Sequence, residues 1–338
     1  MELTLTDRLK KLLEDKNQLI TMVVHANPDG DAIGSGLGLY AWLSEQGFSN
    51  VHVISPNPYA SFLHWMPGND QVIVAEKRKA YALDLISKAD LLVCLDFNGM
   101  SRTAELEEPM KASRATKVMI DHHPDPENDF DLVISDTGVS STAELLYECL
   151  INLSDRDAIS LPAAQCLYAG IVTDTGSFSY GCNNPRTYEI VARLIETGVD
   201  GAHLHRLIYS TYSEDRMRLL GYCLSEKLKV VSKANTAYIS LSKSDLQRFN
   251  HQEGDTEGIV NYALNIENIR FAALFTEKEN HIKISFRSVG ELDANKIARD
   301  HFNGGGHKNA AGGKSYASLN DTLANFESLI KNEIFSDV

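Results

Sequence analysis

His25, Asp29 and Asp31 fall within seven residues of one another in the string HANPDGD, directly after the apolar run LITMVV. One imidazole and two carboxylates crowded into a turn repel one another or stay unsatisfied unless a cation gathers them. Hard oxygen with imidazole nitrogen suits Mn2+, Mg2+, Fe2+ or Zn2+. The structural alternative is a turn in which Asp29 or Asp31 simply caps the helix that follows. Three further segments weigh against that alternative: Asp96 ends the run LLVCL, Asp121-His122-His123 end KVMI, and Asp174 ends AGIVT. Together the segments supply at least four carboxylates and three imidazoles to one sheet edge, enough for two metal ions sharing a bridging carboxylate. Two such cations make hydroxide available near neutral pH, so metal-assisted hydrolysis is the chemistry this cluster supports. Ser35 and Ser177 lie near these motifs but read as cap or turn residues, and the chemistry needs no covalent nucleophile.

A second candidate lies near the C-terminus. Gly304-Gly305-Gly306-His307-Lys308-Asn309-Ala310-Ala311-Gly312-Gly313 holds five glycines in ten residues. Glycines let backbone N–H groups converge on an anion and let a ligand approach closely, and Ala310 and Ala311 keep the wall thin. A glycine-rich string is also what a flexible surface loop looks like. The embedded His307-Lys308, with Phe286-Arg287-Ser288 upstream, favours the binding reading.

The elements that must carry these residues are legible as periodic runs. Strands are expected at 19–26, 51–55, 71–75, 91–96 and 117–121, and helices at 31–47, 79–88, 103–114, 140–152 and 162–172. Near-continuous apolar strands separated by helices predict an α/β domain with a mainly parallel sheet covered on both faces. In such sheets ligands bind beyond the C-terminal strand ends, which is where three of the four polar segments begin. The fourth follows CLYAGIV and must return to the same edge. The expected organisation is a metal-binding domain over 1–185, a helical linker over 186–228, and a smaller α+β domain over 229–338. In the last, strands are expected at 236–241, 269–276 and 281–287, and helices at 256–265, 293–302 and 319–334.

Composition sets the class. The 338 residues are 43% hydrophobic and 23% charged, a globular balance. No apolar stretch is long enough to span a membrane, and the N-terminus reads as an amphipathic helix with Leu5, Leu9, Leu12 and Leu13 on one face rather than as a signal peptide. Five dispersed cysteines without a CxxC read as reduced thiols in the cytoplasm, not as a zinc site. The formal net charge of −14, with no basic stripe, argues against holding long nucleic acid.

The ordered motifs resemble those of the DHH family of phosphoesterases. Asp121-His122-His123 matches the tripeptide signature, preceded by HxxPDxD (His25, Asp29, Asp31) and Asp96 and followed by Asp174-Thr175-Gly176. GGGHKNAAG resembles the motif of the companion DHHA1 domain, so the likeness covers the whole chain. The resemblance implies an active site in an interdomain cleft. It implies that His25, Asp29 and Asp96 hold one metal, and that Asp31, Asp96, His122 and Asp174 hold the other, with Asp96 bridging. Asp121 would orient an imidazole, and His123 would face the substrate phosphate as a catalytic group. Arg287 and His307 would bind the substrate's phosphate or base, aided by Ser288, Lys308 and the backbone of Gly304, Gly305 and Gly306. Mn2+ is the metal the resemblance implies, although Mg2+ and other divalent ions also suit the ligands.

Within the family the chain resembles the bacterial subgroup that hydrolyses very short oligoribonucleotides to nucleoside 5′-monophosphates and dephosphorylates 3′-phosphoadenosine-5′-phosphate (pAp) to AMP. The alternative is a phosphodiesterase acting on cyclic di-AMP or a linear dinucleotide. Short oligonucleotides and nucleotides are the expected partners, not long duplexes or membranes. A homodimer is an arrangement open to a two-lobed enzyme of this size.

Overall fold

The computed structural model describes residues 4–154 and 159–331, which form two compact units, the first ending at Thr211 and the second beginning at Tyr212. The first opens with α1 (Leu5–Leu12), β1 (Ile20–Val24), α2 (Gly30–Glu45), β2 (Val51–Ser55), β3 (Val72–Val74), α3 (Lys79–Lys88) and β4 (Leu91–Leu95). It continues with α4 (Glu107–Ala112), β5 (Thr116–Asp121), β6 (Leu132–Ser135), α5 (Thr142–Leu153), α6 (Leu161–Asp174), α7 (Pro185–Glu196) and α8 (Gly201–Tyr209).

Its six strands are all parallel, in the order β3-β2-β1-β4-β5-β6. Strand alternation explains why the runs look uniformly apolar. Ile20, Met22 and Val24 of β1 enter one core while Val23 enters the other, and β4 divides the same way, Leu91, Val93 and Leu95 against Leu92 and Cys94. Each fully buried aliphatic side chain of this kind stabilises the fold by roughly 1.5–3 kcal/mol. The strand order reverses direction between β1 and β4, and a doubly wound sheet opens a crevice at that point.

The second unit contains α9 (Glu214–Tyr222), β7 (Leu228–Val231), β8 (Thr236–Leu241), α10 (Lys243–Arg248), α11 (Ile259–Leu264), β9 (Phe271–Glu277) and β10 (Ile282–Ser288). After these come α12 (Ala294–His301), β11 (Gly305–His307), β12 (Ala310–Ser315) and α13 (Leu319–Leu329). The sheet order is β11-β12-β10-β9-β8-β7, antiparallel except for the parallel pair β8–β9. An aromatic core of Tyr238, Phe271, Phe275, Phe286, Phe302 and Phe326 underlies it.

Several elements differ from expectation. β6, β7 and α10 lie where no element was expected, each only four to six residues long. Residues 186–228, expected as a linker, are shared between the units: α7 and α8 end the first, and α9 opens the second. The C-terminal helix ends at Leu329, and residues 332–334 of its expected span lie outside the described residues. The glycine string is neither loop nor open cradle but the antiparallel hairpin β11–β12.

Candidate metal centre

The end of β1 supplies His25. Its Nδ1–H donates to the Ala26 carbonyl (2.9 Å), which leaves Nε2 turned toward Asp29 Oδ1 at 3.8 Å and Asp96 Oδ2 at 3.4 Å. Asp29 is the N-cap of α2: its Oδ1 accepts from the amides of Asp31 and Ala32, both at 3.1 Å. The helix-cap and ligand readings therefore share one carboxylate, and half of that side chain (50%) stays exposed. Asp31, two residues on, is buried.

Asp96 follows β4 directly, across the reversal point from His25. It adopts φ +65°, a left-handed conformation that a non-glycine residue holds only at a cost of roughly 1–3 kcal/mol. His122 and His123 follow β5, both buried. His122 Nε2 lies 3.8 Å from Asp31 Oδ2, 3.7 Å from Asp96 Oδ1 and 3.5 Å from Asp174 Oδ2. Asp121 Oδ1 accepts from His123 Nδ1 at 2.7 Å, so this carboxylate orients His123. The structure thus gathers Asp96 into three sets: with His25 and Asp29, with Asp31 and His122, and with Asp121 and His123.

Asp174 arrives by a different route from the other carboxylates. It is the last residue of helix α6 rather than a strand end. α6 reaches the site because it packs closely on α2. A Cβ on Gly34 would lie 2.5 Å from the Cys166 carbonyl, and one on Gly38 would lie 2.7 Å from Leu167.

The electrostatics fit a divalent-cation site. Burial, then the charges of Asp96, Asp174 and Asp29, push the Asp31 carboxyl well above its ordinary range. Burial alone would lower the His25 pKa, but hydrogen bonding and charge from Asp29 and Asp96 outweigh it and push it up to about 10. Burial also opposes ionisation of Asp96, yet the His25 hydrogen bond and the imidazoles of His25, His123 and His122 hold it well below the carboxylate range. Burial keeps His122 below its ordinary value, the neutral form a metal requires. The carboxylates crowded here draw a proton onto His25, and a divalent cation would supply that positive charge in its place, releasing the proton on binding.

Sequence reasoning missed the residues that hold the carboxylates. The Thr142 amide donates to Asp31 Oδ2 (2.7 Å), the Ala143 amide to Asp31 Oδ1 (2.9 Å), and Thr142 Oγ1 to Asp96 Oδ1 (2.8 Å). A signal was present in Ser141-Thr142-Ala143-Glu144, the Ser-x-x-Glu pattern of a helix start.

In the second unit, Arg287, Ala310 and His307 form one row across β10, β12 and β11, so Arg287 and His307 share a sheet face with only a methyl group between them. Ser288 is buried, donates to the Leu292 carbonyl (2.6 Å) and accepts from Asn309 (2.9 Å). Lys308 pairs with Glu291 at 2.7 Å. Packing accounts for three of the glycines, since a Cβ on Gly304, Gly306 or Gly313 would meet neighbouring atoms at 1.9, 2.6 and 2.9 Å. Gly305 and Gly312, paired across the hairpin, meet nothing closer than 3.6 Å.

Comparison with known proteins agrees with these motifs. Residues 19–171 match the DHH family, N-terminal domain, and residues 234–332 match the DHHA1 domain. The chain is 30% identical to the bifunctional oligoribonuclease and PAP phosphatase NrnA of Bacillus subtilis, over 91% of this chain and 93% of that one. It is 28% identical to the cyclic-di-AMP phosphodiesterase GdpP of the same organism, but spans only 48% of that protein. A crystal structure of an exopolyphosphatase-related protein from Bacteroides fragilis superposes with a TM-score of 0.90 at 41% identity, covering 97% of this chain and 95% of that one.

Proposed function

Because this chain belongs to the DHH family of phosphoesterases, we propose that it hydrolyses very short oligoribonucleotides to nucleoside 5′-monophosphates and dephosphorylates pAp to AMP. The observation that carries the reading is the cluster centred on buried Asp96 within a chain that spans nearly all of a bifunctional relative. His25, Asp29 and Asp96 would hold one divalent ion, and Asp31, Asp96, His122 and Asp174 the second, Mn2+ being the ion proposed. When bound, such ions supply the Lewis acidity that offsets phosphate charge and makes water a nucleophile near neutral pH.

The chain's own residues do the rest. Asp121 fixes His123 through Nδ1, and Nε2 is the nitrogen assigned to exchange a proton with a phosphate oxygen or the leaving oxygen. The carbonyl of Ala26 fixes the His25 ring in the same manner. Arg287 and His307 are assigned to bind the far phosphate or base of the substrate. Lys308 and the Gly304–Gly306 backbone are assigned supporting roles, and Ser288 acts through its bond with Asn309. With five free thiols, the compartment proposed is the cytoplasm.

Product analysis tests the whole reading. A 5′-phosphorylated RNA dinucleotide, pAp, cyclic di-AMP and a longer RNA strand are each incubated with Mn2+ and with chelator. Metal-dependent conversion of the dinucleotide and pAp to mononucleotides is the expected result. Preference for the cyclic substrate, with linear dinucleotide accumulating, would move the function to the activity named for GdpP.

A further inference from the structure

Asp31 and Asp96 sit on different elements, yet one turn holds both. Thr142 bridges them, its amide donating to Asp31 Oδ2 (2.7 Å) and its hydroxyl to Asp96 Oδ1 (2.8 Å), while the Ala143 amide takes the other oxygen of Asp31 (2.9 Å). These amides are the unpaired N–H groups at the start of α5, where the helix dipole favours negative charge. Asp31 has little freedom to turn elsewhere, because a Cβ on Gly170 would already lie 2.9 Å from its Oδ1.

A second observation shows that this turn is itself secured. Glu144 is fully buried, at 0% exposure. Its Oε2 accepts from the Ser140 amide (3.0 Å), the Ser140 hydroxyl and Thr187 Oγ1 of α7 (2.9 Å). In a standard capping box this carboxylate would bond the N-cap amide of Ser141. Here it reaches one residue further back and across to α7. Ser141 caps the helix by accepting from the Glu144 amide (3.0 Å). The other oxygen, Oε1, is buried without a hydrogen-bond partner among the described residues. Leaving such an atom buried is costly.

We propose that Ser140–Glu144 is a positioning device for the metal ligands. Thr142 presets the carboxylates of Asp31 and Asp96, and Glu144 locks the turn that carries Thr142. The ligands are thus arranged before an ion arrives rather than by it. The inference rests on the reading of Asp31 and Asp96 as ligands, so its test separates the two ideas.

Mn2+ is titrated into the full chain, and free ion is followed by its paramagnetic resonance signal. Thr142→Val, Thr142→Ser, Glu144→Gln and Asp96→Asn are compared with wild type, with circular dichroism to establish the fold. Thr142→Val is expected to bind Mn2+ about tenfold more weakly or worse, the usual effect of losing a group that orients a metal ligand. Thr142→Ser restores the hydroxyl and should bind near the wild-type level, and Glu144→Gln should weaken binding in the same direction as Thr142→Val. Wild-type affinity in Thr142→Val, with binding lost in Asp96→Asn, overturns the positioning role and leaves the ligand reading intact. Unchanged affinity in Asp96→Asn overturns the ligand reading as well. Should Glu144→Gln fail to fold, the Thr142 pair decides, since valine keeps the shape of threonine without its hydroxyl and serine keeps the hydroxyl without the methyl group.

Discussion

Asp96 concentrates the local physics of the site. It is buried, holds φ +65°, and stands in three ligand sets at once. Backbone strain at such a point persists only where surrounding structure over-determines it. Asp96→Asn keeps the shape and removes the charge, and it should lower turnover of the dinucleotide by roughly 10²–10³-fold or more, as loss of a charge-stabilising group does. Steady-state kinetics at saturating Mn2+ would check this, and retention of wild-type turnover would sink the metal assignment. His123 is separable from the ligands because Asp121 anchors its Nδ1 at 2.7 Å. His123→Asn should slow hydrolysis about 10²–10⁴-fold, the range for a lost general acid. A p-nitrophenyl ester, whose leaving group needs no proton, should lose far less. Equal losses on both substrates would rule out proton donation by His123.

At the scale of elements, the decisive contact is helix on helix. The glycine face of α2 lets α6 approach until Asp174 reaches His122. Gly34→Val would drive a side chain into the Cys166 carbonyl and should destabilise the fold by about 1–3 kcal/mol, the usual cost of overpacking. Thermal unfolding of the metal-free protein measures it, and an unchanged midpoint would refute the close packing. The second unit offers a titration test. Asp245 completes the capping box of α10 by accepting from the amide of the N-cap Ser242, pairs with Lys227 at 2.7 Å and accepts from the Tyr222 hydroxyl at 2.7 Å. Burial opposes its ionisation, but hydrogen bonds from Lys227, Ser242 and Tyr222 prevail and bring its pKa down to about 2. The folded pKa lies below the unfolded one, so the stabilisation is fully present above about pH 4 and is lost as pH falls toward 2. Asp245→Asn should therefore destabilise by roughly 2 kcal/mol at pH 7 and by little near pH 2. Urea unfolding at the two pH values tests the sign: a mutant effect that grows in acid would contradict it.

Across the whole molecule, charge and covered length bear on substrate size. A chain of net charge −14 has little to offer a long polyanion. For single strands the slope of log affinity against log salt is about −0.7 per phosphate neutralised, so a 5′-phosphorylated dinucleotide, with two phosphates, should show a slope no steeper than about −1.4. Substrate KM measured from low to high salt gives this directly. A slope steeper than about −4 would indicate a long-strand channel and remove the short-substrate reading. No helix among the described residues is long and apolar enough to cross a membrane.

The sequence by itself determined the donor types, their order along the chain, and the parallel sheet that carries most of them. Those follow from local chemistry: a carboxylate or imidazole after a buried apolar run is visible in one dimension. It also marked Arg287 and His307, though not the β-hairpin that sets them in one row. Besides that hairpin it missed β6 and β7, four residues each and too short to show a period. Only the tertiary structure decided how Asp174 reaches His122, that Asp29 is cap and candidate ligand together, and that Thr142 and Glu144 stand behind the ligands. Thr142 meets Asp31 across 111 positions of chain, and a contact of that separation is fixed by packing of glycine-faced helices over a sheet, not by any neighbour in sequence.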